Sequence, residues 1–374
     1  MQDITLILLA AGSSSRFKSG VKKQWIRTGN EPLWQFVTKS FTDLNLFEKI
    51  IVVSSADECN YMRAHDSGAV IVEGSDSRQS SLKNALLSVE TTYVMVSDIA
   101  RACVDRELIE RLINSKERAD VTAPVIRVND TAVYNGNTID REELLLIQTP
   151  QLSRSKKLRD ALQSDTIYTD ESSAIVAHGG TRVFVDGDIR AHKITQVCDL
   201  LKLQCLQETS TATLCGNGFD THAFGAGDSF KLCGIKIDHN RSLVAHSDGD
   251  VAIHALIDAL LGAAGAGDIG EMFPDTDSAY ADMDSTILLD MVVKKLRGYG
   301  FSVTNADITI MAQSPKLLPY KEQMRLSVSK HLQIAPIRVN IKATTTEELG
   351  FIGRKEGIAV MATATLNYID WTTL

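Results

Sequence analysis

The stretch Ile4-Thr-Leu-Ile-Leu-Leu-Ala-Ala-Gly-Ser-Ser-Ser-Arg16 joins a nearly continuous apolar run to a loop of glycine and serine. Such a run is typical of a parallel strand that is buried on both faces of its sheet. In a doubly wound sheet, ligands bind at the loops that follow the carboxyl ends of the strands. Gly12 and the three serines allow backbone N–H groups to approach an anion, and Arg16 and Lys23 add two positive charges. We therefore predict an α/β fold with a phosphate-binding loop, although a surface loop with solvated lysines would have the same composition.

Further apolar runs alternate with helix-like segments along the first half of the chain. This alternation predicts a three-layer α/β sandwich with a mostly parallel, Rossmann-like sheet. The apolar runs are residues 50–53, 69–72, 93–96 and 121–126, and the helix-like segments are 78–89, 106–116 and about 197–207. The short polar segment that follows has no apolar periodicity and predicts a linker. We therefore expect domains at residues 1–208 and 214–374, with the linker at 209–213.

The second half begins with short strands and glycine turns, at residues 214–237. Longer elements follow, with helices predicted at 249–261, 285–296 and 321–331 and strands at 301–310, 339–342 and 358–366. This mixture predicts a compact α+β domain. No internal repeat relates the two halves.

The composition excludes several classes of protein. The chain has 374 residues, 44% of them hydrophobic and 23% charged, and its net charge of −8 makes it a poor candidate for coating nucleic acid. No apolar run approaches the ~20 residues of a membrane span, and the first run, preceded by Asp3, does not resemble a signal peptide. The 6 cysteines form no C-x-x-C pair. We therefore expect a cytoplasmic protein with reduced thiols and no disulfide scaffold.

A candidate metal site begins at Asp220 and His222, which are two residues apart. In an extended chain such residues point to the same side, so one strand can offer a carboxylate and an imidazole to one ion. A third ligand is expected from the segment 246–258, which contains His246 and His254. One carboxylate and two imidazoles with an open fourth position are typical of catalytic zinc. On a helix, either Asp250 or Asp258 would share a face with His254 and could orient its ring; a pair of polar strand residues is the alternative interpretation of the first two positions.

The order of the motifs in the first half identifies a family. After the loop come Lys22-Lys23-Gln24, Gly74-Ser-Asp-Ser-Arg78-Gln-Ser-Ser81, Ser97-Asp98-Ile99-Ala100-Arg101, Thr149-Pro150-Gln151, Thr169-Asp170-Glu171 and Lys193-Ile194-Thr195. Over residues 1–208 the chain resembles the 2-C-methyl-D-erythritol 4-phosphate cytidylyltransferases. Four positions depart from the family pattern: Ser14 stands where a glycine is usual and Lys22 where a proline is usual, while Ser97 and Ile99 flank Asp98 where a histidine and an alanine are usual.

This resemblance implies a role for each matched residue. The loop with Gly12 would bind the triphosphate of CTP, and Arg16 and Lys23 would stabilise charge on the α-phosphate. The other implied roles are methylerythritol phosphate binding by Arg141 and Lys193, the cytidine pocket for Arg78 and Ser81, and a magnesium ion near Asp98. The neighbouring Lys22 is the alternative to Lys23 at the phosphates.

The second half carries its own ordered motifs. They are Gly267-Asp268-Ile269-Gly270, Phe273-Pro274-Asp275, Ala343-Thr344-Thr345-Thr346-Glu347 and Gly350-Phe351-Ile352-Gly353-Arg354. Over residues 213–374 the chain resembles the 2-C-methyl-D-erythritol 2,4-cyclodiphosphate synthases. The resemblance implies Zn²⁺ on Asp220, His222 and His254, transition-state contacts from His246 and Thr345, and a trimer with each site shared between subunits. The implied substrate-binding residues are Asp268, Gly270, Phe273, Asp275, Asp277, Thr344, Phe351 and Arg354, with a cytidine pocket at 312–318, Lys316 near the phosphates, and Glu347 at a second divalent ion.

Both resemblances together imply a bifunctional enzyme of the non-mevalonate isoprenoid pathway. Its substrates would be CTP, methylerythritol phosphate and the CDP derivative, with Zn²⁺ in the second domain and Mg²⁺ or Mn²⁺ in both. The two steps are not consecutive, because a kinase acts between them, and an association with that kinase is a further expectation. We expect a homo-oligomer that binds neither nucleic acid nor membrane. Two alternatives stay open: the first half could be another nucleotidyltransferase, or a non-catalytic scaffold for oligomerisation.

Overall fold

The computed structural model describes residues 3–65, 67–164, 166–245, 247–274, 276–277, 279–280 and 283–374. The chain divides into two compact units: Met1–Thr209 with Asp370–Leu374 form the first, and Ser210–Ile369 form the second. The second domain was predicted to run to residue 374, but the last five residues pack with the first unit. The indole nitrogen of Trp371 donates a hydrogen bond to the Gln207 carbonyl at 3.3 Å, a contact between residues too far apart in sequence for any local pattern to reveal.

The first unit is built on an eight-stranded sheet in which four neighbouring strands, from the middle of the sheet to one edge, are parallel. Its strands, with those of two small hairpins, are β1 (Ile4–Leu9), β2 (Arg27–Thr28), β3 (Glu31–Pro32), β4 (Lys49–Ser54), β5 (Val70–Glu73), β6 (Tyr93–Asp98), β7 (Val121–Arg127), β8 (Ala132–Tyr134), β9 (Asn137–Ile139), β10 (Leu145–Ile147), β11 (Gln151–Arg154) and β12 (Arg182–Asp186). The spatial order is β10-β7-β11-β6-β1-β4-β5, and β12 pairs with β7. β1 runs parallel to β4 and β6, whereas β11 runs antiparallel to both of its neighbours. The predicted parallel core is therefore confirmed, and the sheet as a whole is mixed.

Helices cover this sheet on both sides. They are α1 (Leu33–Thr42), α2 (Ala56–Arg63), α3 (Arg78–Leu86), α4 (Arg106–Asn114), α5 (Ser155–Ala161) and α6 (Glu171–Ala177). Ile7 and Leu8 point to opposite faces of β1 and both are 0% exposed. The helix predicted at 197–207 is wrong in its length: only Val197–Lys202 is helical, as a short 3-10 helix, and the chain then becomes irregular.

A disulfide joins Cys103 to Cys205, which are 102 residues apart in the chain. This pair contradicts the expectation of reduced thiols throughout, which rested on cysteine spacing alone. The bond ties the loop after β6 to the segment after the 3-10 helix. The other cysteines are free, at positions 59, 198, 215 and 233.

The second unit is a five-stranded sheet with helices on one face. Its strands are β13 (Thr213–Gly225), β14 (Ser229–Leu232), β15 (Ile235–Asp238), β16 (Ser242–Leu243), β17 (Phe301–Met311), β18 (Val339–Thr344) and β19 (Gly357–Tyr368), and its helices are α7 (Val251–Ala264), α8 (Ile269–Met272), α9 (Ser285–Gly298), α10 (Lys321–Leu332) and α11 (Gly350–Gly353). The sheet order is β16-β13-β19-β17-β18, and β14 pairs with β15 in a separate hairpin.

Two glycines allow α7 to lie directly on β13. A Cβ atom on Gly216 would lie 2.2 Å from the Ala259 carbonyl oxygen, and one on Gly218 would lie 1.9 Å from the Ala255 carbonyl oxygen. Any other residue would push the helix away from the strand. His254 at the start of α7 is thereby held close to the side chains of β13. On the opposite face of the sheet, Phe219 is 58% exposed and Met361 is 50% exposed.

The helices of the described part of the chain include none that combines the length and apolar character needed to cross a bilayer.

Candidate active sites

A recess of about 460 Å³ in the first unit lies at the carboxyl ends of β1 and β6. Its lining includes the whole loop from Gly12 to Arg16, together with Lys23, Arg78, Ser81, Asp98 and Lys193. The structure therefore brings together the predicted phosphate loop and nearly all of the other residues predicted for the first site. Four cationic side chains and a loop of small residues make this recess suited to a polyphosphate.

The two adjacent lysines differ in their surroundings. The Lys23 ammonium donates to the Ile194 carbonyl at 3.2 Å and lines the recess. Burial first, and then the charges of Lys193 and Arg16, lower the pKa of Lys23. The Lys22 ammonium instead lies 2.7 Å from a carboxylate oxygen of Glu58, which is 0% exposed. The geometry thus places Lys23, and not Lys22, in the lining of the recess.

Ser14 shapes the loop in which it departs from the family pattern. Its φ is +56°, in the left-handed region that favours glycine. Its hydroxyl oxygen accepts a hydrogen bond from the Lys23 backbone N–H at 2.9 Å. The serine therefore keeps the backbone conformation that a glycine would adopt and adds a contact that glycine lacks.

Asp98 is the anionic centre of this recess. The Lys193 ammonium lies 2.8 Å from one of its oxygens, and the Arg78 guanidinium lies 3.5 Å from the other. Burial would raise the pKa of the Asp98 carboxyl, but Arg78 and Lys193 outweigh it and hold this pKa at about 2. Asp98 is therefore ionised at neutral pH, and it fixes the positions of two residues predicted to bind substrate.

Three further residues complete this network and were not predicted as site residues. The Thr149 hydroxyl donates to Asp98 at 3.2 Å and accepts from the Arg101 guanidinium at 2.8 Å. Glu171 lies 2.6 Å from Arg78 and is 1% exposed. All three occur in the motifs quoted above, but only the fold shows that they support Asp98 and Arg78.

Arg141 is the predicted residue of the first site that does not line its recess. Its guanidinium donates to the Asn129 carbonyl at 2.6 Å, and its side chain is 49% exposed. It follows the β8–β9 hairpin, on which Val133 is 63% exposed and Tyr134 is 67% exposed.

In the second unit, Asp220, His222 and His254 converge. One ligand atom from each lies within 4.8 Å of the other two. His222 donates from Nδ1 to the Thr221 carbonyl at 2.8 Å, since a carbonyl can only accept. In the neutral ring its Nε2 then carries the lone pair, and this buried atom has no hydrogen-bond partner. A buried, unpaired acceptor beside a carboxylate and a second imidazole fits a bound metal ion, and the donor set is one that zinc prefers.

The electrostatics of this triad keep its carboxylate ionised. Asp220 approaches His254 with Oδ2 3.2 Å from Nδ1. Burial would raise the pKa of Asp220, but the hydrogen bond with His254 and the neighbouring His222 lower it. Burial alone would lower the pKa of the His254 imidazole, but the Asp220 carboxylate outweighs burial, so this pKa is raised above its usual value.

A recess of about 470 Å³ surrounds the triad. Gly270, Phe273 and Asp277 line it, as predicted from the resemblance. Asp268 is not among the residues that line it, and its side chain accepts from the Glu271 N–H at 2.8 Å and caps α8. The predictions for His246 and Asp275 lie outside the described residues.

The remaining predicted residues of the second site lie at the end of β18 or in the segments that follow β17 and β18. They are Lys316, Thr344, Thr345, Glu347, Phe351 and Arg354, and none of them lines the triad recess. Within this group the Thr345 hydroxyl donates to Glu347 at 2.9 Å, and Arg354 pairs with Glu356 at 2.9 Å. The predicted residues of the second site therefore do not all line one recess of this chain.

Comparison with known proteins identifies both units. Residues 4–208 match the family described as 2-C-methyl-D-erythritol 4-phosphate cytidylyltransferase, and residues 213–367 match the YgbB family. A relative from Sulfurimonas denitrificans, named bifunctional enzyme IspD/IspF, is 53% identical over 374 residues, which cover 100% of this chain and 97% of the relative. This chain belongs to the bifunctional IspD/IspF family.

Other IspD/IspF proteins agree with that assignment over the full length. The relative of the same name from a Sulfurovum species is 52% identical over 371 residues, 99% of each chain. The solved structure of the bifunctional IspDF from Campylobacter jejuni has a TM-score of 0.91 and 46% identity, and covers 99% of both chains. The prediction of a chain with a cytidylyltransferase and a cyclodiphosphate synthase is confirmed.

The surroundings of His254 in this IspD/IspF chain differ from those predicted. Asp250 was a candidate for orienting its ring, but it caps α7 and accepts from the backbone N–H groups of Cys233 and Gly234. Asp258, the other candidate, accepts from the Ile269 N–H at 2.8 Å. The ring instead contacts the hydroxyl of Ser285, at the start of α9. No sequence spacing could have indicated that contact, because the two residues lie on different helices.

Proposed function

We propose that the first unit transfers CMP from CTP to 2-C-methyl-D-erythritol 4-phosphate, and that the second unit cyclises the CDP derivative. The second reaction converts 4-CDP-2-C-methyl-D-erythritol 2-phosphate to the 2,4-cyclodiphosphate with release of CMP. The observation that carries the proposal is that each unit has its own chemically distinct recess. One is lined by cations and a phosphate loop, and the other by the metal-binding triad.

In the first reaction, a phosphate oxygen of the acceptor attacks the α-phosphorus of CTP and diphosphate leaves. Arg16 and Lys23 would stabilise the charge that develops on the α-phosphate, and Lys193, with Arg141, would hold the methylerythritol phosphate. Phosphoryl-type transfer needs little covalent help from the protein, so positioning and positive charge supply most of the rate. Arg78 and Ser81 would hold the cytidine, beside the loop that contains Gly12.

A magnesium ion would bind here mainly through the phosphates of CTP. Mg²⁺ typically takes one or two protein carboxylates together with substrate phosphates, and Asp98 offers one. Its two oxygens already contact Lys193 and Arg78. Part of this ion pairing would therefore have to rearrange when the nucleotide binds with its ion.

In the second reaction, an oxygen of the 2-phosphate attacks the β-phosphorus and CMP leaves. The attacking oxygen is already anionic, so the step requires no general base. Zinc held by Asp220, His222 and His254 would supply charge neutralisation at a phosphate. Gly270, Phe273, Asp275, Asp277 and Asp268 would bind the sugar parts, while Glu347 would help to hold a second divalent ion, Mg²⁺ or Mn²⁺. His246 and Thr345 would contact the transition state.

We infer that the second site is completed by a neighbouring copy in a three-fold ring. The residue group from Lys316 to Arg354 does not line the triad recess of its own chain. The uncovered sheet face, with Phe219 and Met361 about half exposed, offers a surface for such contact. The exposed hairpin next to Arg141 supports a contact between copies in the first unit as well. Through that contact, Arg141 would reach the site of a neighbouring copy.

We propose that both reactions take place in the cytoplasm, where their small-molecule substrates are made. Phosphorylation of the first product must occur before the second unit can act. An association with the intervening kinase would shorten the path between the two sites.

The two activities should survive separation of the units. Residues 1–209 should retain CMP transfer and residues 210–374 should retain cyclisation, each within about twofold of the full chain, because each recess lies within one unit. The measurement is the kcat/KM of both reactions for each piece, with the full chain as reference. Soluble, folded pieces that have lost both activities would show that the sites are not modular.

Subunit exchange should reveal the shared second site. His254→Ala and Lys316→Ala damage different halves, so each variant alone should be inactive in cyclisation. In an equal mixture, about one interface in four combines two undamaged halves, and up to ~25% of the wild-type activity should return. A mixture that stays inactive, with subunit exchange verified by mass spectrometry, would place the whole site within one chain.

A further inference from the structure

His254 has a second ring nitrogen, which points away from the other metal-binding residues. Its Nδ1 lies 3.2 Å from Asp220, whereas its Nε2 lies 2.9 Å from the hydroxyl oxygen of Ser285. Ser285 is 0% exposed, so water does not compete for this contact. The Ser247 hydroxyl also lies 3.2 Å from Nε2, and its oxygen accepts from the Gly249 N–H. The polar groups around Nε2 therefore decide which nitrogen of the ring carries a proton.

The direction of the hydrogen bond to Ser285 follows from its other partner. The Ser285 hydroxyl donates to Oδ1 of Asp248, and a carboxylate can only accept. A hydroxyl has one proton, so the oxygen of Ser285 is left to accept from His254. Nε2 must then carry a proton, and Nδ1, which donates to the Asp220 carboxylate, is the nitrogen whose proton a metal ion would displace.

Asp248 is itself fixed by a neighbouring cation. The Lys231 ammonium, on β14, lies 3.0 Å from Oδ2 of Asp248 and 2.7 Å from Asp284. The Ser285 N–H also points to Oδ2, at 3.3 Å. Both are donors, so Oδ2 of Asp248 must accept on that side, while Oδ1 accepts from the Ser285 hydroxyl and, at 3.4 Å, from the Asp250 N–H.

We propose that Asp248 and Ser285 are positioning residues that hold His254 in the tautomer able to bind zinc through Nδ1. The inference rests on the proposed zinc site. It adds to that site a series of polar contacts that runs from Lys231 through Asp248 and Ser285 to His254. Hydrogen bonds from a ligand's distal nitrogen fix the ring and typically change metal affinity by about 10- to 100-fold.

Asp248→Asn tests the direction of these hydrogen bonds, because asparagine has nearly the same size and shape as aspartate. Lys231 and the Ser285 N–H would keep the amide oxygen on their side, which turns the amide NH₂ toward the Ser285 hydroxyl. Ser285 would then donate to Nε2 of His254 and favour the tautomer with a proton on Nδ1. We expect zinc affinity to fall by about 10- to 100-fold, measured by competition with a chromophoric chelator at fixed pH in the full-length chain.

A second substitution should reverse this effect. In Asp248→Asn combined with Lys231→Met, the amide is free to flip, and its oxygen can again accept from Ser285. Zinc affinity should then recover at least partly, a result that a merely structural role for Asp248 does not predict. Ser285→Ala removes the hydroxyl between Asp248 and His254 and reduces the volume of a buried side chain. It should lower zinc affinity by about tenfold.

The matched control is Asp290→Asn, on the same helix as Ser285. Asp290 pairs with His331 at 2.9 Å and makes no contact with the triad, so zinc affinity should stay at the wild-type value. Cytidylyl transfer should be unchanged in every variant, and a retained unfolding transition of the second unit shows that it is folded. Wild-type zinc affinity in Asp248→Asn and Ser285→Ala, or a double variant as weak as the single one, would overturn the proposal. A wild-type chain that binds no zinc would instead defeat the proposed metal site itself.

Discussion

His254→Ala should abolish cyclisation and remove most of the bound zinc, while CMP transfer continues at the wild-type rate. Structural zinc sites have binding free energies of about 10–16 kcal/mol over four ligands, so one ligand accounts for ~3 kcal/mol, or about 10²-fold in affinity. The lost imidazole would leave Asp220 and His222 alone at the ion. Zinc content by elemental analysis and the kcat of both reactions check this expectation.

His331→Ala is the control for this prediction. His331 is also on a helix of the second unit and pairs with a carboxylate at 2.9 Å, but that carboxylate belongs to Asp290, away from the triad. Its removal should leave zinc content and cyclisation as in the wild type. Full zinc occupancy in purified His254→Ala would remove His254 from the set of ligands.

Lys23→Ala should lower the kcat of CMP transfer by about 10²–10³-fold, the usual range for loss of one donor to a transition-state charge. Lys23 lines the recess with its ammonium 3.2 Å from the Ile194 carbonyl, next to Lys193. Cyclisation should not change, because its residues belong to the other unit. Steady-state kinetics with CTP and methylerythritol phosphate provide the measurement.

Lys22→Ala separates charge at the active site from charge elsewhere in the loop. Lys22 neutralises the buried carboxylate of Glu58, so its loss should lower the melting temperature of the first unit while kcat changes little. If Lys22→Ala proved to be the variant with the large loss of kcat, the assignment of Lys23 to the phosphates would be wrong.

Local patterns in the sequence predicted the parts of the sites that lie close together in the chain. The strand–loop sequence from Ile4 to Arg16 contains both the buried strand and the phosphate loop. The i, i+2 spacing of Asp220 and His222 placed both side chains on one side of β13. Such features are visible because the backbone geometry of a single element determines them.

Those local patterns could not predict contacts between elements that are far apart in the sequence. The antiparallel β11, the Cys103–Cys205 bond and the hydrogen bond from His254 to Ser285 each depend on how separate elements pack. The same holds for Asp98, where the sequence indicated a site residue but not that Lys193, Arg78 and Thr149 would surround it. Spacing alone also suggested Asp250 and Asp258 as partners of His254, whereas backbone N–H groups bind both carboxylates.

The return of Asp370–Leu374 to the first unit has a consequence for synthesis on the ribosome. Translation completes almost all of the first unit before the second unit is made, and domains generally fold as units during this process. The contact of Trp371 with Gln207 can form only after the whole second unit has been translated. The first unit therefore begins to emerge before the second unit but is completed after it.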